Sequence, residues 1–190
     1  MFKRYPFFLA AICIFYCSPL YAANITQTVI EIRGEVLGVT CSVKEENLVV
    51  DLGETTNKDL FFHKRARNHQ NFEIEFECAP GEEYTIDFTF TGTSSQDVDL
   101  QGTVQVLGTS DPTITQPLTP WRVGVQLAAG FDEQYLFSIN NEFGELNYKI
   151  QDGSKIPFSA YLRLSSLVPT VDQVPTGYYE ATANFLVEYE

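Results

Sequence analysis

Phe72-Glu73-Ile74-Glu75-Phe76-Glu77-Cys78 alternates without a fault, apolar side chains one way and carboxylates the other. A period of two is the signature of a strand with one face buried and one face wet. The same pattern recurs downstream. Tyr84, Ile86, Phe88 and Phe90 alternate with Thr85, Asp87, Thr89 and Thr91. Ile156, Phe158, Ala160, Leu162 and Leu164 alternate with Pro157, Ser159, Tyr161, Arg163 and Ser165. At the C-terminus Ala181, Ala183, Phe185, Val187 and Tyr189 alternate with Thr182, Asn184 and Glu188, and Leu186 is the one exception. Weaker strands are expected at 34–43, 48–52, 103–107, 123–127 and 135–139.

Turn signals separate these runs: Pro80-Gly81, Gly108 to Pro112, Asn140-Asn141, Asp152-Gly153 and Pro175-Thr176-Gly177. Pro112 to Pro120 is the most loop-like stretch. No helical period of useful length shows. Many short strands rich in Val, Thr, Phe and Tyr predict an all-β antiparallel sandwich.

The N-terminus is read separately. Lys3 and Arg4 precede an uncharged apolar run from Phe7 to Tyr16, and Ser18 to Ala23 ends in small residues. This is the three-part pattern of a secretory signal peptide, assigned to residues 1–22 with cleavage after Ala22 or Ala23. The apolar run is shorter than the ~20 residues a membrane span requires. No membrane insertion is expected of the rest. About 168 residues follow Ala22, enough for one well-buried domain.

Export leaves two of the four cysteines. Cys41 and Cys78 are an even pair in an oxidising compartment, so a disulfide is the expected state. Closing that loop is worth roughly 3–4 kcal/mol on the chain-entropy account. Without Lys3 and Arg4, ten basic residues face 25 acidic ones, a net charge near −15. Such a surface repels nucleic acid and anionic membranes. The one basic cluster, Phe62-His63-Lys64-Arg65-Ala66-Arg67-Asn68-His69, reads as a solvated loop or as a docking spot for an acidic partner.

Catalytic chemistry finds little support. Two histidines make a poor zinc site. The paired acids Glu45-Glu46, Glu82-Glu83 and Asp132-Glu133 are chain neighbours that a strand would point opposite ways. No phosphate loop or nucleophile elbow occurs. Trp121 reads as packing at a strand start. No enzyme activity, cofactor or metal is expected.

One segment fits none of this. Ile25, Val29, Ile30 and Ile32 suit a strand, yet they sit before the first cysteine with no turn to pair them nearby. An edge strand, a frayed terminus and a strand meant for another molecule all remain open from the residues alone.

Ile30-Glu31-Ile32-Arg33-Gly34-Glu35-Val36, Thr40-Cys41-Ser42-Val43 and Val50-Asp51-Leu52-Gly53 together resemble the opening of chaperone–usher pilins of the type 1 and P fimbrial kind. The middle agrees at Phe72 to Cys78, at Phe90-Thr91-Gly92-Thr93 and at Val123 to Leu127. The end agrees at Ile156 to Tyr161 and Thr176 to Phe185, with Gly177 fourteen places from the end and a penultimate Tyr189.

The resemblance implies an incomplete immunoglobulin-like sandwich that lacks its last strand. Residues 23–33 would form an N-terminal donor-strand extension, and residues 34–190 the pilin domain. It implies a structural subunit of an adhesive fimbria, exported to the periplasm and then displayed at the cell surface. Its partners would be a periplasmic pilus chaperone, an outer-membrane usher and neighbouring pilin subunits, with assembly by donor-strand exchange. The inserted face of the donor would be Thr26, Thr28, Ile30 and Ile32. The groove that receives a donor or the chaperone would involve Gly177, Ala181, Ala183, Phe185, Val187 and Tyr189, flanked by a first strand near 34–43. A lone chain is expected to show a slot beside the C-terminal strand unless its N-terminal arm folds back into it. Shaft pilins often carry glycine where Thr28 stands, so a minor, adaptor or terminating subunit also fits. The competing reading is a freestanding periplasmic or surface carbohydrate-binding module.

Overall fold

The computed structural model describes residues 25–36, 41–109, 122–131, 133, 135–140 and 148–189. The leader with its Ala22 or Ala23 cleavage point, Pro112 to Pro120, Trp121, Asp132 and Asn141 lie outside the described residues.

Among the described residues eleven strands and one short α-helix follow one another: β1 (Ile25–Val36), β2 (Cys41–Val43), β3 (Asn47–Thr56), α1 (Asn57–His63), β4 (Gln70–Cys78), β5 (Tyr84–Gly92), β6 (Val104–Thr109), β7 (Val123–Ala129), β8 (Tyr135–Phe137), β9 (Tyr148–Ile150), β10 (Lys155–Leu164) and β11 (Gly177–Tyr189). The hydrogen-bonded path runs β2-β4-β10-β7-β6-β11-β1-β3, with β5 on the far half of β11, β9 on β5 and β8 on β7. Strand β6 joins the two layers, pairing with β7 at Val104 and with β11 at Val106. Among the described residues all strand pairings are antiparallel except β1 with β11.

The alternating runs deliver the core. Phe76, Phe88, Phe90, Phe158 and Phe185 meet between the layers with almost no exposure. Phe88 lies 5.1 Å from Phe158, and Phe90 lies 4.8 Å from Phe137, both edge to face. Such pairs are favoured by the ring quadrupole beyond their area burial. Cys41 and Cys78 are cross-strand partners on β2 and β4, and they are disulfide-bonded.

Two expectations change. First, a short helix precedes the basic cluster: residues 57–63 form α1, which takes in Phe62 and His63, while 64–69 follow it as a loop. Thr56 caps it, its hydroxyl oxygen accepting from the Asp59 backbone N–H at 3.1 Å, and Leu60 plugs the core with no exposure. Seven residues are too few to display a helical period, so the pattern alone does not reveal it. Second, the outward side of β10 is not wet. Ser159, Tyr161 and Ser165 are buried, and the Arg65 guanidinium lies over the Tyr161 ring at 5.2 Å. All seven residues of β7 are buried; the Gln126 amide donates to the Phe137 carbonyl at 2.7 Å, and Thr103 of the segment after β5 packs on Gly124. That segment is pinned by Asp97, whose buried carboxylate accepts from Arg122 at 3.1 Å and from the Ser165 hydroxyl at 3.0 Å.

Candidate functional site: the strand groove

The position beside β11 is occupied by the chain itself. Strand β1 lies between β11, to which it runs parallel from Thr26↔Gly177 to Val36↔Val187, and β3, to which it runs antiparallel from Ile25↔Thr56 to Arg33↔Asn47. Among the described residues the slot beside β11 is therefore filled, by the chain's own N-terminal arm. The flank opposite β11 is β3, not the 34–43 segment expected from sequence. Strand β1 runs on through residues 33 and 34 to Val36, and its pairing with β11 continues across that point.

Parity decides what the groove sees. Thr26, Thr28, Ile30 and Ile32 all point inward, each with at most 1% exposure, while Val29, Glu31 and Arg33 point out. On β11 the inward set is Tyr179, Ala181, Ala183, Phe185 and Val187. Val50 and Leu52 of β3 close the other wall.

The two inward sets are matched in size. Register places Thr28 beside Tyr179, Ile30 beside Ala181, Ile32 beside Ala183 and Gly34 beside Phe185. Every large residue faces a small one. The last pair is the tightest: a Cβ built on Gly34 would fall 1.8 Å from the Phe185 ring. Two alanines on β11 thus form the pocket for two isoleucines, and the Phe185 ring fills the space the glycine leaves. Burying the two isoleucines contributes about 1.5–3 kcal/mol each.

The other end of the groove is polar. The Thr26 hydroxyl donates to the Pro175 carbonyl at 3.4 Å, and the Asn57 amide donates to the Val174 carbonyl at 3.4 Å. The hydroxyls of Thr28 and Tyr179 are buried with no hydrogen-bond partner among the described residues. Burial pushes the Tyr179 phenol well above its ordinary pKa. Gly177 opens β11 at φ +135°, a conformation that side chains rarely adopt, directly after Pro175-Thr176.

The groove residues named from sequence are thus brought together on one strand. Tyr189 is placed by its backbone, which pairs with Ile86. Gly34 and Tyr179 fell inside the segments expected to border the groove but without an inward role, and the β3 wall was missed. Gly34 continues the inward parity of Thr26 to Ile32, so alternation itself pointed to it. Tyr179 does the same for Ala181 to Val187. The β3 wall of Val50 and Leu52 was signalled only by alternation in a segment with no stated partner.

Outside the groove, His63 Nε2 lies 2.7 Å from Arg67 Nη2, and His69 Nδ1 lies 3.5 Å from Glu133. Glu133 also binds Arg65. No cluster of metal-ligating side chains occurs among the described residues, and no helix among them is long and apolar enough to cross a membrane.

A profile of the family described as "Fimbrial protein" matches residues 30–190. No curated protein matches the chain by sequence. Among solved structures, the chain is similar to the P pilus rod subunit PapA, with TM-score 0.58 and 17% identity over 80% of this chain and 100% of that one. It is also similar to a subunit from a chaperone–usher pilus whose structure addresses rod uncoiling, with TM-score 0.57 and 17% identity over 83% and 92% of the two chains. At these identities the likeness concerns the fold.

Proposed function

The chain belongs to the fimbrial protein family, and on that premise we propose that it is a pilus subunit whose N-terminal strand fills the groove of a neighbouring subunit. That it is a structural fimbrial subunit follows from the family. The strand exchange is the reading the groove supports.

The observation that carries it is the seating of β1. This strand is at the edge of the described chain, yet it fills the centre of a sheet, between β3 and β11. With the leader cleaved after Ala22 or Ala23, as this reading has it, β1 is N-terminal and can leave without unthreading anything else. Its departure would bare the Ala181 and Ala183 pocket, the Phe185 ring and two rows of backbone hydrogen-bonding groups. Exposed edges and open cores of that kind demand another strand. In this reading Thr26, Thr28, Ile30 and Ile32 are the donor face. Gly177, Ala181, Ala183, Phe185, Val187 and Tyr189 belong to the acceptor that a neighbouring pilin or a periplasmic chaperone covers. The subunit is then exported, held by the chaperone, passed to an outer-membrane usher and displayed on the surface.

The closed sheet is also what a freestanding surface module would show. Co-expression with the cognate chaperone and usher separates the two. Ile30→Asp should be captured by the chaperone as the unaltered chain is, and yet fail to join polymers. Unimpaired incorporation of that variant would refute the donor assignment. A chain that ignores the chaperone and stays a closed monomer would favour the freestanding module.

A further inference from the structure

Positive charge is scarce in this protein and badly spread. Of the ten Lys and Arg residues beyond residue 22, four fall within ten positions: Lys58, Lys64, Arg65 and Arg67. Elsewhere among the described residues the cations are neutralised within the subunit. Arg33 pairs with Glu31, Lys44 with Glu75, Lys149 with Glu83, Lys155 with Glu73 and Glu75, and Arg122 with Asp97. Arg163, hydrogen-bonded to Gln126, is the exception.

Around α1 the balance differs. Arg65 is taken by Glu133. Lys58 has no ion-pair partner among the described residues. The Lys64 ammonium reaches only the Val168 carbonyl, at 3.4 Å, and the Phe61 ring, at 4.2 Å. Arg67 pairs with Asp59 at 3.8 Å and its Nη2 lies 2.7 Å from His63 Nε2. Phe62 stands one helical turn from Lys58 on the same face and is 64% exposed. Leu167, beside the Val168 carbonyl that Lys64 holds, is also exposed. The result is an apolar knob flanked by two cations, Lys58 and Lys64, that have no carboxylate partner among the described residues.

A counterpart exists on the same molecule. On the outward side of the sheet, one row across four strands reads Leu107, Glu180, Val29 and Asp51. The next row reads Thr182, Glu31 and Val49. Leu107 and Val49 are each 66% exposed, and Glu180 has no ion-pair partner among the described residues. This face is apolar and acidic where the knob is apolar and basic.

We propose that the knob of Lys58, Phe62, Lys64 and Arg67 docks on the Leu107–Glu180–Val29–Val49 face of a second copy of this chain. The contact joins two different surfaces, so it is heterologous, the kind that builds a filament wherever its rotation does not close a ring. Val29 and Glu31 come from β1, so the face is whole only when a strand lies in the groove. A subunit with an open groove lacks the docking face, which restricts the contact to completed subunits. The closed chain presents both surfaces, so the inference is testable without the strand exchange proposed above.

The test is sedimentation of the mature closed chain at low and at high salt. Association that weakens with salt is expected, because rim charges are screened beyond about 8 Å at physiological ionic strength. Lys58→Glu with Arg67→Glu should associate about tenfold more weakly, as two rim ion pairs are lost and inverted. Adding Glu180→Lys and Asp51→Lys should restore it. In a mixture of one chain carrying Lys58→Cys and another carrying Glu180→Cys, a disulfide-linked pair should form. Salt-independent sedimentation, or association indifferent to the knob reversal, would overturn the proposal. So would a knob that retains the chain on immobilised sulfated polysaccharide while no pair cross-links, since the acidic partner would then be a polyanion.

Discussion

Ile30→Ala tests the closure of the groove in the isolated chain. Ile30 is fully buried, flanked by Ala181 on β11 and Val50 on β3. Truncating a buried isoleucine to alanine costs about 2–5 kcal/mol, more where the surroundings cannot collapse into the cavity. Here one neighbour is already alanine, with no side chain to lean into the gap, so about 3–4 kcal/mol is expected. That is a large share of the roughly 5–15 kcal/mol by which a domain is stable. With a slope of about 2 kcal/mol per M in urea, the midpoint should fall by about 1.5–2 M. Gln27→Ala, on the outward side of the same strand, is the control and should stay within about 0.5 kcal/mol. Amide exchange at Ala181 and Ala183 should accelerate in the isoleucine variant, since their strand loses a partner when β1 frays. An unchanged midpoint and unchanged protection would mean that β1 hangs free in solution. The size-matched closure would then be wrong.

Gly34→Ala should destabilise the chain by about 1–3 kcal/mol, because its Cβ would land in the Phe185 ring, and Phe185→Leu should recover part of the loss in a urea titration. Above pH 10 the chain should lose stability. The folded state holds the Tyr179 phenol above its ordinary value of 10.0, so the unfolded chain ionises first. Nothing is lost below pH 10, and the decline sets in as pH rises past it. Tyr179→Phe should flatten that alkaline decline in a thermal-melt series without weakening the chain at neutral pH, since it also removes a buried, unpartnered hydroxyl. Asp97→Ala should cost about 3 kcal/mol by thermal denaturation, as it leaves the Arg122 guanidinium and the Ser165 hydroxyl without their shared acceptor.

The helix α1 and the outer side of β10 show where pattern reading stops. Alternation reports which side of a strand is apolar, and it located β4, β5, β10 and β11 along the chain. It does not report what else will cover the polar side. Ser159 and Tyr161 of β10, and Ser165 just after it, are interior because Arg65 stacks on Tyr161 and Asp97 binds Ser165, an arrangement between segments far apart in the chain. Likewise a seven-residue helix depends on a Thr56 cap and a Leu60 anchor more than on any periodic signal.

For the groove, the amino-acid order alone determined parity: which of residues 26–34 and 179–187 share a face follows from the two-residue repeat of an extended backbone. It pointed to the disulfide partners too, since Cys41 and Cys78 are the two cysteines beyond the expected leader, and the structure joins them. Direction, flank and occupancy were decided by the tertiary structure. Parallel seating of β1 on β11, with β3 on its other side, depends on matching side-chain volumes across strands about 150 residues apart. Thr28 against Tyr179 and Gly34 against Phe185 are pairings between distant segments, and no local pattern encodes the distance between two strands.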